Sequence, residues 1–185
     1  MKEATRRAQS IVGTSPGRPE GDWYPTPPEA TLALLSRESF TGSIWEPACG
    51  DGAISRVLED AGHTVISTDL IHRGYGTAPH DFLTSSLTAD NIITNPPFTL
   101  AQEFVERSLE RTTGKVAMLC KLAFLEGQKR KAFFETTPLA RVHVFSKRIN
   151  FYREGQRGKL GTSMIAFAWF VWEHGHEGPP SLDWL

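Results

Sequence analysis

Cysteine is scarce in this sequence: Cys49 and Cys120 are the only two in 185 residues. Two cannot make a disulfide scaffold, so a reducing compartment, the cytoplasm, is the expectation. Long apolar runs are missing as well. The longest, Met164 to Trp172, is strand-sized; a membrane span needs about 18 residues. The first ten residues carry Lys2, Glu3, Arg6 and Arg7 with no apolar core behind them, which argues against a signal peptide. Internal repeats and low-complexity tracts are absent. The hydrophobic share, 39%, and the charged share, 22%, exclude collagen, coiled coil and wholesale disorder. The length suits one domain and leaves little room for a second.

Net charge is also nearly missing, at −1, but its distribution is uneven. Residues 115–159 hold 11 Lys or Arg against 3 acids. Residues 1–114 hold 9 basic against 15 acidic, and residues 160–185 hold 3 acids and no Lys or Arg. A neutral total thus hides a basic block, the pattern of a chain that meets a polyanion.

Residues 1–21 lack periodicity and read as a flexible arm. Thr26, Pro27 and Glu29 read as a capping box that opens a helix. Ser43 to Glu46 is a short strand running into the turn Pro47-Ala48-Cys49-Gly50-Asp51-Gly52. Ile54, Val57, Leu58 and Ala61 follow at helical spacing, with Gly62 at the C-cap. His63 to Asp69 is a second strand ending in an acid. This β-turn-α-β order opens a doubly wound sheet. Asp81-Phe82-Leu83 and Asn91 to Thr94 come next, and Thr99 with Gln102 reads as a capping box for a helix through Leu109. Val116 to Leu122 counts as a fifth strand, residues around 128–135 as a helix, and Arg141–Phe151 and Ser163–Trp172 as β-rich runs. The last is apolar on both faces, as a central strand is.

Two motifs carry chemistry. Gly50 and Gly52, between a strand and a helix, let backbone approach a ligand closely. Asp69, at the end of the next strand, can accept from both ribose hydroxyls of an adenosine ligand. The second motif is Asn95-Pro96-Pro97-Phe98. The prolines lack N–H groups and fix φ, so the Pro96 carbonyl is held rigid and out of a ladder. With the Asn95 amide oxygen it offers two acceptors for the hydrogens of an exocyclic amine. Phe98 offers a ring face for a flat base. Both motifs fall at carboxyl ends of strands, where open α/β sheets bind ligands.

On these residues the sequence resembles the adenine-N6 DNA methyltransferases that use S-adenosylmethionine, over roughly residues 22–173. A Tyr-x-Thr-Pro segment, then the cofactor turn, then the tetrapeptide resembles the order of the gamma-type enzymes. The resemblance implies a three-layer α/β/α Rossmann-like fold on a mostly parallel sheet, with one antiparallel strand near the C-terminus. It implies S-adenosylmethionine contacts from Tyr24, Thr26 and Pro27, from Glu46, Pro47, Ala48, Cys49, Gly50, Asp51 and Gly52, from Asp69 on the ribose, from Leu70, from Asp81 with Phe82 on the adenine, and from Asn95. Asn95, Pro96, Pro97 and Phe98 correspond to the catalytic tetrapeptide. Phe151 takes the place of an aromatic that packs on a flipped base, with Tyr152 as competitor.

Lys129, Arg130, Lys131, Lys147, Arg148, Arg153, Arg157 and Lys159 are the expected phosphate contacts. Only residues 124–138 and 152–162 are candidates for target recognition, so loose or short-motif selectivity is expected. The partner is expected to be DNA, with no membrane and no metal, and the chain a monomer or homodimer. His174-x-His176 sits in the tail, residues 174–185, without Cys partners and is not expected to bind metal. Cys49 reads as a packing residue, and Trp169 and Trp172 as core. Two other substrates fit the same chemistry, adenine in RNA and a protein glutamine amide. A non-catalytic nucleic-acid-binding subunit on this fold is a further alternative.

Overall fold

The computed structural model describes residues 23–151 and 165–185. Four helices occur there: α1 (Pro28–Leu35), α2 (Ala53–Asp60), α3 (Ala101–Arg111) and α4 (Gln128–Thr136). Seven strands, β1 (Ile44–Glu46), β2 (Val65–Ser67), β3 (Asn91–Thr94), β4 (Lys115–Lys121), β5 (Leu139–Val144), β6 (Phe167–Glu173) and β7 (Ser181–Trp184), form one sheet. Their order across it is β2-β1-β3-β4-β6-β5-β7. Neighbours β2, β1, β3 and β4 pair parallel. β6 runs antiparallel to both β4 and β5, and β7 returns parallel to β5. The expected fold, mostly parallel with one reversed strand, is what forms.

Alternation along β6 explains its double-sided apolar run. Phe170 and Trp172 enter one core with Trp45, Ile92, Phe104 and Val105. Trp169 and Val171 enter the other with Ala30, Leu34, Ile54 and Leu58. Each face of the sheet is thus covered by helices, α1 and α2 on one side and α3 on the other. Trp169 and Trp172 are fully buried.

Several elements differ from their sequence patterns. Pro27, not Thr26, stands at the N-cap of α1, and no side chain caps it; the Thr26 hydroxyl is used elsewhere. Thr99 lies inside a 3-10 turn, Phe98–Leu100, so α3 begins at Ala101. Asp81–Leu83 is part of a turn, which makes β4 the fourth strand. β7 lies within the expected tail. It is short and exposed, so its residues lack the apolar signal of the buried strands.

Candidate active site

β2 and β3 flank β1 on opposite sides, so the sheet changes direction of winding between β1 and β3. That switch point opens a crevice beyond the strand C-termini. The turn after β1 and the tetrapeptide after β3 both enter it. The cleft is lined by Tyr24, Thr26, Glu46, Pro47, Ala48, Cys49, Asp51, Asp69, Leu70, Asp81, Phe82, Asn95 and Pro97. Pro27, Gly50, Gly52, Pro96 and Phe98 are not among its lining residues. Trp23, Arg73 and His80 are, and no spacing in the sequence marked them.

The glycines serve the turn in a way the sequence did not indicate. Gly50 has φ +55°, and a Cβ there would sit 2.3 Å from the Trp23 indole nitrogen. Gly52 has φ +83°, and its Cβ would meet the Tyr75 ring at 2.6 Å. Side chains of this chain, rather than open cleft, take that space. Trp23 in turn lies under the Arg73 guanidinium at 4.7 Å.

Asp69 ties the crevice together. Its Oδ2 accepts from the Gly50 N–H at 2.8 Å and its Oδ1 from the Ile71 N–H at 2.8 Å. Each oxygen keeps a lone-pair direction for a further donor. Asp81 is exposed and accepts from the Leu83 N–H at 3.0 Å. Phe82 is buried between Trp45 and Phe104, at centroid distances of 5.0 and 4.8 Å.

Glu46 is buried and accepts from the Ser55 N–H at 2.8 Å and from the Ser55 hydroxyl. Burial pushes its carboxyl well above the ordinary carboxylate range; the Ser55 donors oppose this, and the negative Asp69 and Asp51 reinforce it. Burial, with the charges of Glu46 and Asp69, pushes the Cys49 thiol up to about 12. The thiol therefore stays protonated and packs.

The tetrapeptide is oriented from a distance. Asn95 Nδ2 donates to Thr26 Oγ1 at 3.1 Å and to the Tyr24 carbonyl at 3.3 Å. Its Oδ1 is buried and has no hydrogen-bond partner, and neither has Asp51 Oδ1. Buried acceptors in such a state are uncommon and mark a place where a donor is missing. Pro97 closes the 3-10 turn by accepting from the Leu100 N–H at 2.9 Å. Phe98 lies near-parallel to Tyr24 at 6.0 Å, and Phe151 meets Tyr24 edge-on at 6.3 Å. Phe167 packs on both, at 5.7 Å from Phe98 and 4.7 Å from Phe151. Among the substrate aromatics expected from sequence, Phe98 and Phe151 are brought together beside Asn95.

The basic block divides. Lys115 and Arg141 bind the buried Glu38 carboxylate, Lys115 at 2.8 Å, and His143 approaches it at 3.0 Å. Arg141 also pairs with Glu173 at 2.6 Å. This network lies at the end of β4 away from the cleft. Arg130 donates to three main-chain carbonyls, of Ala123, Phe124 and Glu126, and so braces the turn before α4. Lys131 pairs with Glu135 at 3.6 Å on the same helix. Lys129, Lys147 and Arg148 are exposed. Tyr152, Arg153, Arg157 and Lys159 lie outside the described residues. Among the described residues no three His, Cys, Asp or Glu side chains cluster as a metal site, and no helix is long and apolar enough to cross a membrane.

Comparison with solved structures shows which fold carries this crevice. A candidate class I S-adenosylmethionine-dependent methyltransferase from Listeria monocytogenes superposes with TM-score 0.62 at 14% identity, over 100% of this chain and 72% of that one. The fold is that of the S-adenosylmethionine-dependent methyltransferases. A candidate RNA methyltransferase from Pyrococcus horikoshii matches at TM-score 0.60 and 14% identity, over 94% of this chain and 98% of its own. The M protein of the type I restriction enzyme EcoKI matches at TM-score 0.53 and 15% identity, over 82% of this chain and 43% of its own. No protein-family model matches the sequence, and no curated protein matches it. In the methyltransferase frame the cleft lies at the switch point where a ligand is held.

Proposed function

We propose that this protein transfers a methyl group from S-adenosylmethionine to the N6 amine of adenine in DNA, with loose or short-motif selectivity. The observation that carries the reading is the Asn95 side chain. Its amide nitrogen is anchored on Thr26 and Tyr24, so its buried, unpartnered Oδ1 is the atom left for a substrate donor.

The cleft suits the cofactor by its acceptors: acids at Asp51, Asp69 and Asp81, with Asp51 Oδ1 buried and unpartnered. When bound, S-adenosylmethionine supplies a sulfonium-activated methyl group. Asp69 holds the ribose end and Asp81 with Phe82 the adenine end. Glu46 is already held by Ser55, so its part is to shape the turn.

The adenine amine is conjugated with its ring and is a poor nucleophile. Asn95 Oδ1 and the Pro96 carbonyl would accept its hydrogens, which localises the nitrogen lone pair for attack; as the N–C bond forms the methyl–sulfur bond would break, the thioether would leave, and one amine proton would pass to solvent. A base in a duplex must leave the stack to reach them, at a cost of a few kcal/mol. Stacking on the Tyr24, Phe98 and Phe151 rings offsets this by about 1–3 kcal/mol per base.

The test is to expose plasmid DNA from cells lacking adenine methylation to the protein and map the modified positions. Parallel assays on duplex DNA, single strands and structured RNA separate the nucleic-acid substrates. Modification of RNA alone moves the reading to RNA. A protein that binds no S-adenosylmethionine and modifies none of them is a binding subunit instead.

A further inference from the structure

Phe98 stands beside two cavities. The residues just before it, Asn95 and Pro97, line the cleft. Phe98 itself, with Thr99, Lys121, Phe124, Glu126 and Arg130, lines a second, more open groove. The tetrapeptide is thus the partition between a donor side and an acceptor side.

Two cations border the groove, and they are differently committed. Arg130 Nη1 donates to the Ala123 carbonyl at 3.1 Å and to those of Phe124 and Glu126 at 3.4 Å, with its guanidinium 4.9 Å over the Phe124 ring. It closes the 3-10 turn Leu122–Leu125. Lys121, the last residue of β4, holds its ammonium 4.5 Å from the Phe98 ring centroid. Among the described residues no carboxylate pairs with it. An ammonium on a ring face is a weak hold, and the four-carbon stem that carries it is flexible.

A base that stacks on Phe98 needs the ring face that Lys121 covers. Its arrival releases the ammonium beside the nucleotide just bound. A nucleotide out of the stack carries its phosphates about one sugar away from the base, and a compact ammonium is a fitting point charge for a phosphate oxygen. On the strength of the adenine reading above, we propose that Lys121 grips a phosphodiester flanking the target base, and that the groove beyond Phe98 seats the adjoining backbone. Lys121 adds to the phosphate contacts expected from the sequence, which are Lys129, Arg130, Lys131, Lys147, Arg148, Arg153, Arg157 and Lys159. Arg130 is occupied in the fold and Lys131 pairs with Glu135, whereas Lys121 stands on the tetrapeptide itself.

The experiment compares the parent protein with Lys121→Gln and Lys121→Arg. Affinity for a short adenine-containing duplex is measured across a salt series, with a single-stranded RNA arm alongside. Lys121→Gln is expected to bind about tenfold more weakly near physiological salt, with the log–log salt slope reduced by about 0.9, the value for one phosphate contact. Lys121→Arg is expected to restore the slope. Equal S-adenosylmethionine affinity in all three, by calorimetry, shows that the cleft is intact. An unchanged slope in Lys121→Gln overturns the proposal, even where turnover falls, because a role confined to the Phe98 ring does not move the slope. If the parent binds neither DNA nor RNA, the nucleic-acid reading fails and this one with it. A parent that methylates DNA while Lys121→Gln keeps the parental slope fails this inference alone.

Discussion

The side-chain amide of Asn95 donates to the hydroxyl of Thr26, 69 positions earlier in the chain, at 3.1 Å. That bond fixes which end of the amide faces the cleft. Thr26→Val keeps the shape and removes the acceptor. It is expected to lower single-turnover methylation about tenfold or more, with cofactor affinity nearly unchanged and a stability loss of about 1 kcal/mol. Thr26→Ser is expected to behave as the parent. Equal rates for Thr26→Val and the parent would remove the anchor from the mechanism.

Asn95→Ala removes the unpartnered acceptor itself. The interaction is felt most in the transition state, so the expected loss is in turnover, about a hundred- to a thousandfold, while cofactor affinity holds. Calorimetry with S-adenosylmethionine and a methylation time course on DNA measure the two halves.

Asp69 has a double role, because its carboxylate accepts from the N–H groups of Gly50 and Ile71. Asp69→Ala is expected to weaken cofactor binding by about 1.5–3 kcal/mol, and to lower Tm even without cofactor. Asp69→Asn keeps an acceptor oxygen and is expected to lie between the two. A mutant with parental affinity would take Asp69 out of the site.

Glu38 sets an acid limit on stability. Burial by itself would raise its carboxyl, but hydrogen bonds from His143, Arg141 and Lys115 outweigh this and hold it at about 2. A depressed carboxylate stabilises the fold above its unfolded value, near 4.5, and that contribution is lost as pH falls from there toward 2. The expected size is on the order of 2–3 kcal/mol. Thermal melts between pH 7 and 2.5 should show it. Glu38→Gln should melt lower at pH 7, by leaving Lys115 without its carboxylate and Arg141 with Glu173 alone, and should lose most of the dependence in that window.

Much of the fold is legible in the sequence because its signals are local. Ile54, Val57 and Leu58 mark α2 by spacing, and the unbroken apolar run of β6 marks a strand buried on both faces. The tetrapeptide and Asp69 are likewise visible as residue types at strand ends. What the sequence could not convey is long-range pairing. The capping pattern at Thr26 is a local signal, and the hydroxyl goes instead to Asn95. Arg130 and Arg141 look like surface cations until the carbonyls and carboxylates that engage them are in place. Trp23 and Arg73 enter the cleft from segments with no motif, through contacts that only the folded chain creates.

The position of β6 between β4 and β5 has a consequence for the order of assembly. β5 takes both of its neighbours, β6 and β7, from chain that is synthesised after it. Until β6 arrives, β5 has no partner and β4 keeps an open edge. Every residue lining the cleft lies from Trp23 to Phe104, ahead of β4, β5 and β6 in the chain. Phe98, by contrast, gains Phe167, which carries Phe151 on it, only from the later part. A nascent chain therefore holds all the residues of its cleft well before the aromatic cluster around Phe98 can close.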